Sequence, residues 1–135
     1  MAVEKTRNNG QWTEARYTSF IKSALRSATG RWGPKQNVIR EARVSRGMYK
    51  CSCCEREGPA TLPPKEGNKR RIRNIVADHE PPIIDPAVGF TNWDDYIKKM
   101  FCEIDGFQAV CHECHTKKTK EERQIATERR RNEKL

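Results

Sequence analysis

The sequence predicts an α+β fold stapled by a structural metal, and three observations carry that prediction. Apolar residues recur at helical spacing in two stretches, between residues 12 and 28 and between residues 93 and 102. Short apolar runs at 72–79 and 107–110, bounded by turn residues, read as strands. Two Cys-x-x-Cys pairs, Cys51/Cys54 and Cys111/Cys114, supply the four thiolates of one tetrahedral zinc shell. A staple is called for because the chain, at 135 residues, is only 35% hydrophobic and 33% charged. That length fits one domain with extensions, and so polar a chain buries a thin core.

The elements follow in order. Residues 1–10 are polar and expected to fray. Trp12, Ala15, Phe20, Ile21, Ala24 and Leu25 mark an amphipathic helix reaching about Ala28. Gly30-Arg31-Trp32-Gly33-Pro34 is a turn, and Pro34 suits the first turn of a second helix over roughly 35–46, with Gly47 as its stop. On that helix Arg40, Arg43 and Arg46 would share a face, as a phosphate-facing stripe or as solvated surface. Residues 51–71 read as a loop that holds the first cysteine knuckle and the basic cluster Lys69, Arg70 and Arg71. A strand over Ile72–His79 ends at Pro81-Pro82, since proline cannot serve a central ladder. Thr91 or Asn92 caps a helix from Trp93 to Cys102, with Thr91-x-x-Asp94 as a capping box. Its Trp93, Tyr96, Ile97, Met100 and Phe101 form a face best read as core packing. After the turn Asp105-Gly106 comes the strand Phe107–Val110, then a basic helix from about Thr116 to the C-terminus.

The paired knuckles are the strongest local signal. A two-residue spacer lets both thiolates face one ion, and four protein ligands leave no open position, so the zinc would be structural and its binding would supply folding free energy. Cys-Ser-Cys-Cys offers a choice between Cys53 and Cys54; spacing favours Cys54 and leaves Cys53 spare. Cys102, on the apolar face of its helix, reads as a small core residue. A redox motif is the rival reading of either pair, but it normally accompanies a βαβ pattern that this chain lacks.

Charge points to a polyanionic partner. Residues 1–50 carry eleven basic and three acidic side chains, and residues 116–135 carry eight and four. The intervening segment carries eight and eleven, and the whole chain has a net charge of +9. Basic flanks around a mildly acidic middle suit a protein that grips nucleic acid and keeps carboxylates where a metal can bind. No apolar run is long enough to span a bilayer and no signal-peptide core follows Met1, so no membrane is expected and the cytoplasm is the expected compartment.

The chain has three histidines: His79, His112 and His115. His79 follows Asp78 at the end of a predicted strand, and His115 follows Cys114. If one zinc joins the two knuckles, His115 arrives close to Asp78 and His79. One carboxylate and one imidazole could then share a hard divalent ion while a second imidazole accepts a proton. The competing reading makes Asp78-His79 a loop-end pair and His115 a helix-cap residue. His112 is assigned no chemistry.

The run Asp78-His79-x-x-Pro82, Phe90-x-x-Trp93-Asp94-Asp95-Tyr96-Ile97, Phe101-Cys102 and Phe107-Gln108-x-x-Cys111-x-x-Cys114-His115-x-x-Lys118-Thr119 resembles the HNH endonucleases, especially the small HNH proteins of tailed bacteriophages. The resemblance spans roughly residues 45–123, after a basic helical extension over 1–44 and before a basic helix end over 124–135. It implies a ββα-metal core with structural zinc on Cys51, Cys54, Cys111 and Cys114, flanked by further helices. It implies His79 as general base, with Asp78 and His115 holding a catalytic Mg²⁺ or Mn²⁺. It departs at Gly106, where many relatives carry the asparagine that steadies the loop between the strands; Asp105 and Gln108 are the candidate substitutes.

The activity so implied is metal-dependent hydrolysis of DNA phosphodiesters, one strand at a time. Arg40, Arg43, Lys69, Arg70, Arg71, Lys117, Lys118 and Lys120 are expected to touch the DNA backbone. The alternatives are a non-catalytic zinc module that binds nucleic acid and an adaptor that docks on phage packaging proteins.

Overall fold

The computed structural model describes residues 2–135, a mixed α+β chain of four helices and small antiparallel sheets. Strands β1 (Lys5–Arg7) and β2 (Trp12–Thr13) pair ahead of helices α1 (Glu14–Thr29) and α2 (Gly33–Glu41). Strands β3 (Arg43–Ser45), β4 (Met48–Lys50) and β5 (Glu57–Pro59) form a three-stranded sheet. Next come the paired strands β6 (Thr61–Leu62) and β7 (Ile72–Arg73). Strand β8 (Ile75–His79), helix α3 (Trp93–Met100), a 3₁₀ turn at Ile104–Gly106, strand β9 (Phe107–Cys111) and helix α4 (His112–Glu133) complete the chain. Among the described residues no helix is long and apolar enough to cross a membrane.

The central feature is the antiparallel pair β8–β9, in register from Ile75 opposite Cys111 to His79 opposite Phe107, with α4 leaving β9 directly. Both α2 and α4 pack against these two strands. The buried apolar set is small: Cys51, Ile75, Tyr96, Met100, Phe107, Ala109 and Val110. At about 25 cal/mol per Å² of apolar surface, so few side chains leave much of the stability to other ties. One such tie is the Trp32 indole, which donates to the Cys102 carbonyl at 2.6 Å and sets its ring edge-on to Phe101.

Several expectations are corrected. Residues 5–13 are paired rather than frayed, because Asn8, Asn9 and Gly10 take left-handed backbone angles and turn β1 onto β2. These residue types tolerate that region best. Met1, expected to fray with its neighbours, lies outside the described residues. The second helix stops at Glu41, and Gly47, at φ +72°, turns β3 into β4 instead of ending a helix. Arg40, Arg43 and Arg46 therefore share no helix face; Arg40 is helical, Arg43 lies on β3, and Arg46 lies in the turn. The 51–71 loop contains two short strands, and the strand expected over 72–79 is broken at Asn74. That residue is buried and reaches three ways: its amide donates to Pro59 O at 2.7 Å, its side-chain oxygen accepts the first N–H of α4 from His112, and its own N–H goes to Ala60 O.

Around α3, Asn92 is the cap and accepts from the Asp95 N–H at 2.8 Å, one residue on from the expected box. The helix ends at Met100, so Cys102 lies beyond it. Tyr96 and Met100 are buried as the apolar face requires, whereas Ile97 is 43% exposed. α4 begins at His112 instead of Thr116, so the second knuckle forms its first turn.

Candidate functional site

Two clusters meet where β8, β9 and α4 join. In the first, the thiol sulfurs of Cys51, Cys54, Cys111 and Cys114 all lie within 4.8 Å of one another, and the Cys54 and Cys111 sulfurs are 3.9 Å apart. Four thiolates around a tetrahedral ion at 2.3 Å stand about 3.8 Å from each other, so this set is positioned to bind a metal ion. The first knuckle is a tight turn: Cys51 N–H bonds to Arg56 O, Glu55 N–H bonds to Cys51 O, and Glu55 takes φ +63°. Ser52 N–H then pins the turn to β9 through Ala109 O at 2.9 Å. Cys54 rather than Cys53 belongs to the set, and Cys53 is exposed. The backbone N–H and guanidinium of Arg56 hold the Cys54 thiol down at about 6, while burial pushes Cys111 and Cys114 up.

The second cluster surrounds Asp78 and His79, the last two residues of β8. Asp78 is paired across the ladder with Gln108, whose amide donates to Asp78 Oδ2 at 3.3 Å. From α4, the Lys118 ammonium binds the same Oδ2, the His79 carbonyl at 2.9 Å and the Glu80 carbonyl at 3.3 Å. An ammonium has three N–H donors and here meets three acceptors. Lys118, expected on a DNA-facing surface, instead turns inward and orients this carboxylate. The other carboxylate oxygen, Oδ1, faces His115 Nε2 at 3.8 Å. The Asp78 side chain is 17% exposed and that of His115 is 41% exposed, so the gap between them opens to solvent.

His79 points elsewhere. Its ring lies on Phe107, its cross-strand partner, at 4.6 Å between centroids, and its Nε2 is 2.9 Å from the Met100 carbonyl. A carbonyl only accepts, so Nε2 carries the proton and Nδ1 keeps its lone pair. Burial pushes the imidazole below its ordinary value; the nearby charges of Lys35 and Lys118 add to this, and Met100 O and Asp78 oppose it. A neutral imidazole with a free Nδ1 is the form that accepts a proton.

Gly106 has a local explanation. A Cβ there would stand 2.5 Å from Cys102 Sγ and 2.9 Å from Cys102 Cβ, so asparagine does not fit beside this cysteine. Backbone bonds steady the loop instead: Gly106 O accepts the Glu80 N–H at 2.9 Å, and Gly106 N–H donates to Glu103 O. Gln108 engages Asp78 rather than the loop.

The remaining basic candidates are dispersed. Arg40, Arg43, Lys69, Arg70, Arg71, Lys117 and Lys120 are all exposed, and Arg71 is tied to Thr61 by its Nε at 2.9 Å. Sequence reading missed Asn74, Lys35 and the inward role of Lys118, since none lies in a motif whose spacing reveals a three-dimensional partner. Compared with known protein families, with curated proteins and with solved structures, the chain matches none of them.

Proposed function

We propose that the protein is a metal-dependent DNA endonuclease of the HNH type, with a ββα-metal core built from β8, β9 and α4. The observation that supports it is the junction itself: Asp78 and His115 stand 3.8 Å apart with their facing atoms unclaimed, and the residue after Asp78 on β8 is a His79 whose Nδ1 makes no hydrogen bond. The four cysteines hold zinc as a structural ion, in keeping with a reducing cytoplasm. Asp78 and His115 would hold Mg²⁺ or Mn²⁺, and such an ion would supply charge stabilisation to the phosphoryl group and leaving oxygen. The protein's own groups do the rest. Lys118 and Gln108 fix the Asp78 carboxylate through Oδ2 and leave Oδ1 directed at His115. Met100 O holds the His79 tautomer, and Nδ1 takes the proton from the attacking water. One base and one ion make one cutting centre, so a single molecule nicks one strand.

A second reading has an observation in its favour: Lys118 already balances the Asp78 charge, as it would in a non-catalytic zinc module that binds nucleic acid or docks on a phage packaging assembly. Supercoiled plasmid separates the two. Nicking by the zinc-loaded protein in Mg²⁺ or Mn²⁺, lost when neither ion is added and in His79→Ala while DNA binding persists, is the expected result. No cleavage by folded, zinc-loaded wild type in any metal selects the binding module.

A further inference from the structure

α4 is polar all round, yet one face of it is covered. From His115 onward only His115, Lys118, Thr119, Glu122, Ala126 and Arg129 are partly buried, and every residue between them is exposed. The steps of three and four residues make one stripe along the helix. An apolar stripe is the usual reason a helix lies against its neighbours, and Ala126 is the stripe's one aliphatic member. Beyond Lys118 the stripe lines a cleft of about 480 Å³ between α4, the 84–90 loop and α1. Its walls carry Lys22 on one side and Arg123, Arg129 and Arg130 on the other, against a single acid, Glu122.

Two features point to an anionic occupant. The Arg129 side chain is only 19% exposed, and its Nε–H is buried with no hydrogen-bond partner; the Glu133 carboxylate lies 3.4 Å away but out of line. That nitrogen is sealed from solvent, so an oxyanion in the cleft would meet the guanidinium's charge through its outer nitrogens. The loop is also shaped around this guanidinium. Gly89 takes φ +92°, and a Cβ there would come within 2.5 Å of Arg129 Nη1, while Arg129 donates to Pro86 O at 3.4 Å. Phe90, on the cleft wall and 37% exposed, is already engaged: it packs on Trp93 and Tyr96, with the Lys22 ammonium 4.7 Å over the ring. Single strands are held largely by base stacking on aromatic rings, so the cleft suits the outer backbone of a duplex.

We propose that this cleft seats the phosphodiester backbone of duplex DNA, with Arg129 as its anchor and Lys22, Arg123 and Arg130 lining the path. The placement relative to the cut rests on the nuclease reading, because the same helical stripe begins at His115. At 1.5 Å per residue, Arg123 and Arg130 lie about 12 and 22 Å beyond His115. That corresponds to roughly four to seven nucleotide steps at 3.4 Å each. The cleft thus holds DNA to one side of the scissile bond.

The test measures binding without cleavage. Fluorescence anisotropy of the zinc-loaded protein, with no Mg²⁺ or Mn²⁺ added and across a salt series, follows a short labelled duplex and its single strand with wild type, Arg123→Gln/Arg130→Gln and Arg129→Met. A control double variant, Lys65→Gln/Lys98→Gln, carries the same charge change on exposed positions outside the cleft. The cleft double variant is expected to bind duplex at least about tenfold more weakly, its log–log salt slope falling by about 0.9 for each phosphate it no longer neutralises. Arg129→Met weakens duplex binding as well, and the control leaves both measures unchanged. An equal loss in the control, or no loss in the cleft double variant with its helical circular dichroism intact, overturns the proposal. So does an equal loss for the single strand. Because no Mg²⁺ or Mn²⁺ is added, failure here leaves the nuclease reading standing, and failure of the plasmid assay leaves this one standing.

Discussion

Cys114 and His115 are neighbours in the first turn of α4, yet they serve centres built on opposite terms. Cys114 joins a set of four sulfurs within 4.8 Å of one another, which would fill the four positions of a tetrahedral ion. His115 faces a single carboxylate oxygen across a gap open to solvent, and the other oxygen of that carboxylate is held by Lys118 and Gln108. The closed centre ties the first knuckle to β9 and α4, in a chain whose buried core is seven apolar side chains. The open centre ties β8 to β9 and α4 through Gln108 and Lys118, and leaves Asp78 Oδ1 and His115 Nε2 as the two atoms that the nuclease reading would make ligands. Two consecutive residues therefore belong to a set whose loss should undo the fold and, on the nuclease reading, to a pair whose loss should undo only chemistry.

The widest separation comes from removing the closed centre. Cys111→Ser should leave the protein largely unfolded, since structural zinc supplies about 10–16 kcal/mol and a domain has only about 5–15 kcal/mol in total. Far-UV circular dichroism with and without a chelator checks this. Acid should act in the same direction. Burial holds protons on Cys111 and Cys114, so those protons must leave before the metal loads. Metal retention should strengthen as pH rises and fail on acidification, which a chromophoric chelator reports.

Next in size is His79→Ala. Losing the base should cost about 10²–10⁴-fold in nicking with the melting temperature little changed. A parallel collapse of stability would make His79 a packing residue. Lys118→Met is intermediate, because it frees Asp78 Oδ2 and the His79 and Glu80 carbonyls. An outer residue that orients a metal ligand is typically worth about 10–100-fold in activity or metal affinity. An unchanged nicking rate would assign Lys118 to charge balance alone.

Gly106→Ala should show the smallest effect, about 1–3 kcal/mol of overpacking against Cys102. Adding Cys102→Ala removes the nearer clash with the sulfur, and thermal melts should show partial recovery. Equal melting of all three proteins would mean that the loop yields freely.

The two centres were not equally legible in the sequence. Paired Cys-x-x-Cys spacing encodes a ligand set locally, and the structure assembles those four sulfurs. The approach of Asp78 to His115 was expected from that staple, but it is the β8–β9 ladder, pairing Ile75 with Cys111 and Asp78 with Gln108, that brings β8 to the start of α4. Lys118 was legible as a charge but not as a partner, since an ammonium on a helix carries no mark of which way it turns. Gly106 looked like a missing asparagine until Cys102, four residues earlier, filled the space. The helix boundary after Glu41 was misread because Arg43-Val44-Ser45 keeps helical spacing while Gly47 turns the chain into a hairpin. Asn74 broke a strand that its apolar neighbours had made look continuous.

The most direct test of the division between the centres is metal content. Wild type, Asp78→Asn/His115→Ala and Cys111→Ser are compared by elemental analysis for zinc and by Mn²⁺ titration followed by electron paramagnetic resonance. The account predicts that wild type holds one zinc and takes up one exchangeable Mn²⁺. The Asp78→Asn/His115→Ala variant should keep its zinc and its fold but lose the Mn²⁺, whereas Cys111→Ser should lose the zinc and the fold together. Unaltered Mn²⁺ uptake after both Asp78 and His115 are replaced would contradict it.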